Sequence, residues 1–304
     1  MLNRSNASNR QSRKELAQDT LETLERGWYE TENGERVDIA DEVKQAVANT
    51  IIYTPQKSRA LQGNRSTTSE KNPSPTEIVV NGLTTLDAAR SLAAEGEEDI
   101  FCLNFASGCN PGGGFLNGSQ AQEESIARAS AIHPCQNTNE ARELYYNANR
   151  EAKAPFYTET MIYSPQVPVF KNEDGTYMEK PLPLSILTAP AVNASVWKNK
   201  KSPVLSGDKL QQIENAMKQR AAKVLAIANH HNHDVLVLGA WGCGVFGQDP
   251  ADVARWFRQA LQKYQFRRVI FAVYSPSRKD DQLCPSAMQF CEEFKIQPQV
   301  VDSR

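Results

Sequence analysis

NFASGCNPGGGFLNGSQAQEESIARAS, from Asn104 to Ser130, is the stretch whose reading decides the fold. It starts at the end of an apolar run, DIFCLNFAS, and closes on a segment with helical spacing, which predicts strand, long glycine loop, helix. In open α/β sheets ligands sit at that place. Gly112, Gly113 and Gly114 carry no Cβ, so their amides are free to approach an anion or a sugar closely. Seven residues later come Gln122, Glu123 and Glu124. Acidic residues at a helix start have an ordinary explanation, the positive end of the helix dipole. The triple glycine at fixed distance offers a second one, because it would place both carboxylates beside whatever the loop binds.

Upstream, the Asn-, Ser- and Arg-rich first dozen residues read as frayed. From Arg13, Ala17, Leu21, Leu24 and Trp28 recur at helical spacing. Asp38 is placed to cap a second helix, IADEVKQAVANT, with Ile39, Val43 and Val47 on one face. YTPQKSRALQGNRSTTSEKNPSPT reads as a connecting loop, a tether or part of a lid. EIVVNG, TLDAARSLAAEG and DIFCLNFAS then form one βαβ unit.

Downstream, EESIARASAIHPCQ and NEARELYYNANR read as helices interrupted at Pro134. TMIYSPQVPVFKNEDGTYMEKP reads as a hairpin-like insertion around Asp174-Gly175, with LSILTAPA as a separate strand after it. A long helix from Gly207 to about His230 turns Leu210, Ile213, Met217, Ala221 and Leu225 inward. DVLVLGA is a buried strand by its continuous apolar run. It opens onto a second glycine loop, Gly239 to Gly247, followed by the helix ADVARWFRQALQKY, the strand RRVIFAVYSP and the helix SAMQFCEEFK. That second loop is read either as a tight strand-to-helix turn or as a cradle presenting amides to a phosphate. Two such loops suggest a diphosphate site. Trp241, Val245 and Phe246 within it must pack on a sugar or base face or on the neighbouring core.

Gly112-Gly113-Gly114, seven residues, then Gln122-Glu123-Glu124 resembles the signature of the poly(ADP-ribose) glycohydrolases, in particular the compact microbial type built on a macrodomain. The resemblance covers roughly residue 10 to the last strand and includes Thr160 to Pro165. It implies a macrodomain-like mixed α/β sheet flanked by helices. Residues 1–75 would be an N-terminal helical extension with its connecting loop, and 76–304 the catalytic domain. By motif, Glu124 is implied as the acid/base and Glu123 as the group that binds the ribose beside the scissile bond. Asn110 falls at the position that binds ribose hydroxyls; Gln122 and the three glycines complete the ligand-binding signature. Gly242, Cys243, Gly244 and Val245 would contact the diphosphate through the backbone, and Phe246 would orient the terminal ribose. Adjacent helical residues do not face one another, so Glu123 and Glu124 cannot flank a sugar as the usual glycosidase pair does. A carboxyl that gives a proton near neutral pH needs a desolvated site or a neighbouring negative charge.

The implied reaction is hydrolysis of ribose–ribose bonds of poly(ADP-ribose), from the end of the polymer, releasing ADP-ribose. ADP-ribosylated proteins are the implied partners. A macrodomain reader without turnover, or a hydrolase of another ADP-ribose linkage, would share much of the pattern; the intact Gln122-Glu123-Glu124 argues for an enzyme. With a net charge of -2 and a pI near 6.2, the chain has no global basic field, so nucleic acid is not expected as a direct partner and a polyanion must be gripped locally. Lys198 to Lys201 reads as a solvated loop able to help steer such a polymer.

No cofactor or metal is expected, since His230, His231 and His233 lack Cys or carboxylate companions at ligand spacing. The six cysteines form no CxxC pair, and Cys102, Cys109 and Cys243 read as small packing residues. The polar N-terminus and the lack of a long apolar run lead to the expectation of a soluble, intracellular protein, cytoplasmic or nuclear in a eukaryote.

Overall fold

The computed structural model describes residues 4–61, 75–197, 205–274 and 283–297. Helix α1 (Arg4–Arg26) leads into a small antiparallel pair, β1 (Trp28–Glu30) and β2 (Arg36–Asp38). Then come α2 (Ala40–Ala48), β3 (Ile51–Tyr53), α3 (Pro55–Leu61), β4 (Glu77–Asn81), α4 (Thr85–Ala94) and β5 (Phe101–Phe105). The glycine loop leads through a 3-10 turn at Phe115–Asn117 into α5 (Gln122–Ala129) and α6 (Ile132–Gln136). α7 (Asn139–Ala141) passes through a π-turn at Arg142–Asn147 into α8 (Ala148–Ala152). The rest is β6 (Met161–Lys171), β7 (Tyr177–Ala189), α9 (Gly207–His230), β8 (Val235–Gly239), α10 (Pro250–Leu261), β9 (Arg268–Ala272) and α11 (Pro285–Phe294).

Seven strands form one sheet in the order β3-β6-β7-β5-β8-β9-β4. Only β6 runs against the others: it pairs antiparallel with β3 and β7, whereas the remaining neighbours are parallel. Burial on both faces explains the continuous apolar runs of the central strands. Phe101 and Leu103 face a core built with α9, α10 and α11, and Cys102 between them faces the core built with α4, α5 and α6. Asn104 continues the Cys102 side of that alternation and so points beneath α5. β5 and β8 are parallel neighbours whose following helices pack on opposite faces of the sheet. The crevice beyond their C-terminal ends is therefore a topological switch point.

Several local expectations change. α1 starts at Arg4 rather than Arg13, so the polar N-terminal residues lie within a helix. Asp38 ends β2 opposite Trp28 and holds Arg36, while Ile39 occupies the N-cap position of α2 without a side-chain cap. The connecting loop begins as α3; its continuation, residues 62–74, lies outside the described residues, as does Lys198 to Lys201. The break after α5 comes at Ser130 and Ala131, with Pro134 accommodated in the first turn of α6. The supposed insertion is part of the main sheet: β6 pairs with β7, and LSILTAPA is the end of β7 rather than a strand of its own. Leu210 points outward and is 49% exposed, whereas Ile213, Met217, Ala221 and Leu225 are buried as expected. No described helix is long and apolar enough to cross a membrane.

Candidate active site

A cavity of about 710 Å³ opens at the switch point, lined by Gln122, Glu123 and Glu124 on one side and Ala240 to Phe246 on the other. Phe105, Ala106 and Ser107 form its floor at the end of β5. The structure thus unites the two glycine-loop regions that lie more than a hundred residues apart in sequence.

The side facing α5 is an internally bonded unit. The Gln122 side chain acts as an extra peptide group for β5: its Oε1 accepts from Phe105 N at 2.8 Å, and its Nε2 donates to Leu103 O at 2.7 Å and Thr85 Oγ1 at 3.0 Å. Gln122 borders the cavity, but both ends of its amide are already engaged. Its role is to fix where α5 starts relative to the strand. Glu123, the next residue, points down and is 3% exposed. Its Oε2 accepts from Ser107 N at 2.7 Å, while Asn104 Nδ2 and Gln136 Nε2 approach Oε1 only to 3.5 Å. Thr188 Oγ1 accepts from both of those amides, at 3.2 and 3.0 Å. Burial, opposed by the Ser107 amide and aided by the Glu124 charge, pushes the Glu123 carboxyl up to about 8. Glu124, half-buried, turns toward the cavity, and its Oε1 accepts from Gly114 N at 2.9 Å.

The first glycine loop serves this pair of carboxylates. Gly112 N donates to Gln136 Oε1 at 2.7 Å, Gly113 N to Asn110 O at 3.0 Å, and Gly114 N to Glu124. The anion these amides approach is the protein's own glutamate, and the three glycines do not border the cavity. Gly113 (φ +61) shows why the position excludes a side chain: a Cβ would stand 2.5 Å from Glu124 Oε1 and 2.9 Å from Glu123 Oε2. Asn110 is exposed outside the cavity lining, with its amide on Ser107 Oγ at 3.2 Å.

The second loop is built differently. Trp241 turns into the core, its Nε1 donating to Ala189 O at 3.1 Å, and Gln248 clamps the loop by donating to Val192 O at 2.6 Å. Gly242 (φ +80) lets the backbone turn against Ala191, where a Cβ would meet the Ala191 Cβ at 2.8 Å. Among the described residues, the amides of Gly242, Gly244, Val245 and Phe246 donate to no protein acceptor, and all four residues border the cavity. Successive unpaired amides at a loop leading to a helix are suited to an anion. Cys243 also borders the cavity; its thiol is unpaired, with burial pushing it up to about 12, so it does not supply a nucleophile. Val245 is 81% exposed at the rim, and the Phe246 ring lies 6.2 Å from that of Tyr157.

Asn104, Ser107, Gln136 and Thr188 form the supporting cluster that sequence reading did not single out. Asn104 and Thr188 offered one signal, a polar residue within an otherwise apolar strand; Gln136 offered none. His230, His231 and His233 lie elsewhere, before the start of β8. His231 Nε2 meets Tyr53 OH at 2.8 Å and His233 Nε2 meets Tyr163 OH at 2.8 Å. No group able to hold a metal occurs among the described residues.

Residues 17–172 match the family model described as microbial-type PARG, catalytic domain. Among solved structures, the chain is similar to poly(ADP-ribose) glycohydrolase from Thermomonospora curvata: 40% identity, TM-score 0.83, covering 93% of this chain and all (100%) of that one. The same protein bound to the inhibitor ADP-HPD gives 39% identity and a TM-score of 0.80, again covering 93% and 100% of the two chains. The Deinococcus radiodurans poly(ADP-ribose) glycohydrolase in complex with ADP-ribose is 36% identical, with a TM-score of 0.71 over 83% of this chain and 96% of that one. No curated protein sequence matches.

Proposed function

Because the chain belongs to the microbial-type poly(ADP-ribose) glycohydrolases, we propose that it removes ADP-ribose from the end of poly(ADP-ribose) chains with Glu124 as the acid/base. It is a glycosidase of ribose–ribose bonds, with poly(ADP-ribose) as substrate and ADP-ribose as product. The observation that carries the residue assignment is the cavity itself. It has a fixed, half-buried carboxylate on one wall and, on the other, four amides unpaired among the described residues. A cavity near 710 Å³ suits one nucleotide-sized ligand, which supports release of terminal units.

In this reading the diphosphate lies on Gly242 to Val245, Phe246 packs on the terminal ribose, and Asn110 reaches the ribose hydroxyls when substrate is present. The Glu124 carboxyl protonates the departing ribose oxygen as the glycosidic C–O bond breaks, the bonding pair leaving with that oxygen. Glu124 then takes a proton from the water whose oxygen adds to the anomeric carbon. The diphosphate lies close enough to stabilise the positive charge that builds up there. Glu123 binds the ribose from below. Burial favours the protonated form of its carboxyl, which is able to donate to a sugar hydroxyl.

Residues 76–304 would form the catalytic unit and 1–75 the extension that completes it, since β3 pairs with β6 and α1 packs on the catalytic loop. Six unpaired cysteines support a reducing, intracellular location. The test compares wild type with Glu124→Gln for release of ADP-ribose from automodified polymerase and for ADP-ribose binding by calorimetry. The expected outcome is a loss of about 10²–10⁴-fold or more in release with binding retained. A variant that still releases ADP-ribose would remove Glu124 from the mechanism.

A further inference from the structure

The catalytic loop is gripped from outside by α1. Arg10 Nε donates to Asn117 O at 2.8 Å, and Arg13 Nε donates to Gly118 O at 2.8 Å. These carbonyls lie three and four residues beyond Gly114, whose amide holds Glu124, and just before Gln120 and Ala121 on the cavity rim. Loop support uses only the Nε of each guanidinium. Among the described residues, the Nη atoms of Arg10 and Arg13 and the Nζ of the exposed Lys14 meet no acceptor. A fourth cation, Arg128, is buried on the inner side of the same loop, bonded to Ser119 O and the Gln120 side chain. The charge of Arg13 bears on it unfavourably, opposed by Glu124 and Glu173 from the cavity side. Glu15, the carboxylate next to Lys14, accepts from the neutral Gln11 amide and forms no ion pair with Lys14 among the described residues. A chain whose net charge is -2 thus concentrates unpaired positive charge at one edge of its active site, outside the cavity.

The substrate supplies a matching charge. Each polymer unit carries a diphosphate, and the unit left behind when the terminal one departs is joined at the oxygen that Glu124 protonates. Its diphosphate lies about one ribose beyond Glu124, outside the cavity that holds the terminal unit. We propose that Arg10, Arg13 and Lys14 form a subsite for the diphosphate of the second ADP-ribose unit, on the leaving-group side of the scissile bond. This rests on the glycohydrolase reading and extends it: the extension that supports the catalytic loop also selects polymer over a single ADP-ribose group.

Lys14→Glu, which removes no hydrogen bond among the described residues, tests the subsite on two substrates. One is poly(ADP-ribose); the other is ADP-ribose carrying an aryl leaving group at the anomeric carbon, which presents the terminal unit and no second diphosphate. At about 50 mM salt, kcat/KM on polymer is expected to fall about tenfold and to depend less steeply on salt, with aryl glycoside turnover within about twofold of wild type. Lys14→Gln, which removes one charge instead of reversing it, should show the same pattern at smaller size. Equal losses on both substrates would mean that the cations only prop up the loop, and an undiminished rate on polymer would also overturn the subsite. Wild type inert toward polymer would sink the glycohydrolase reading and the subsite with it.

Discussion

At the residue scale the site depends on a glycine that lies outside the cavity lining. Gly113 leaves the space into which both carboxylates project, so Gly113→Ala must displace Glu124 or Glu123 or shift the loop, at a backbone strain of about 1–2 kcal/mol. The expected outcome is a loss of about 10²-fold in kcat with a modest fall in melting temperature, measured by steady-state kinetics and thermal unfolding. The signature itself was legible because its glycines and glutamates are consecutive. What it did not disclose was the direction in which the amides act. The sequence suggested that the first loop binds a ligand; its amides hold Glu124 and Gln136, and the cavity-bordering amides that meet no protein acceptor among the described residues belong to the second loop. Spacing could not predict that Glu123 would be the desolvated carboxyl, because its environment comes from Asn104, Gln136 and Thr188 on three separate elements.

At the element scale α1 is docked through one buried cation. Lys171, 1% exposed at the end of β6, bonds to Asp19 Oδ2 at 2.6 Å and Thr20 Oγ1 at 2.9 Å, and Tyr177 OH donates to the same Asp19 oxygen at 2.8 Å. Asp19→Ala leaves that ammonium buried without a counter-charge and is expected to cost about 3 kcal/mol in urea unfolding. Asp19→Leu with Lys171→Met should recover most of the loss. α1 was readable from Arg13 onward because its apolar residues keep helical spacing. β6 and β7 were read as a hairpin-like insertion and a separate strand, because Pro165, Pro168, Pro181 and Pro183 argue against central strands; a register shift between Ser164 and Val167 takes up Pro165, and Pro168 sits opposite Pro183 in the ladder. β3 was missed because a three-residue strand carries too little pattern, and Leu210 was misplaced because the first turn of α9 extends past the core it packs on.

For the molecule as a whole, a buried carboxyl and a half-buried imidazole set opposite limits on stability. Glu123 is raised from an ordinary 4.5 to about 8, so the folded state holds a proton that the unfolded chain releases; stability falls as pH rises through that interval, by about 1.4 kcal/mol per unit. His231 is lowered by burial from 6.5 to about 4, so its contribution is present above 6.5 and is lost as pH falls toward 4. Between about 4.5 and 6.5 the two slopes oppose each other. Melting temperature should be nearly flat there and decline on either side, and Glu123→Gln should abolish the alkaline decline specifically. An alkaline decline that persists in Glu123→Gln would assign it to another group.

Strand order also governs when the molecule becomes an enzyme. β4 pairs with β9, the last of the described strands, and the amides that face Glu124 across the cavity follow β8. A nascent chain therefore carries its signature loop through most of synthesis with one wall missing and an edge strand unpartnered, exposed to mispairing. Because the closing contacts span nearly the whole sheet-forming sequence, folding is completed only as the C-terminal strands emerge, and a complete cavity arrives together with the protection of β4.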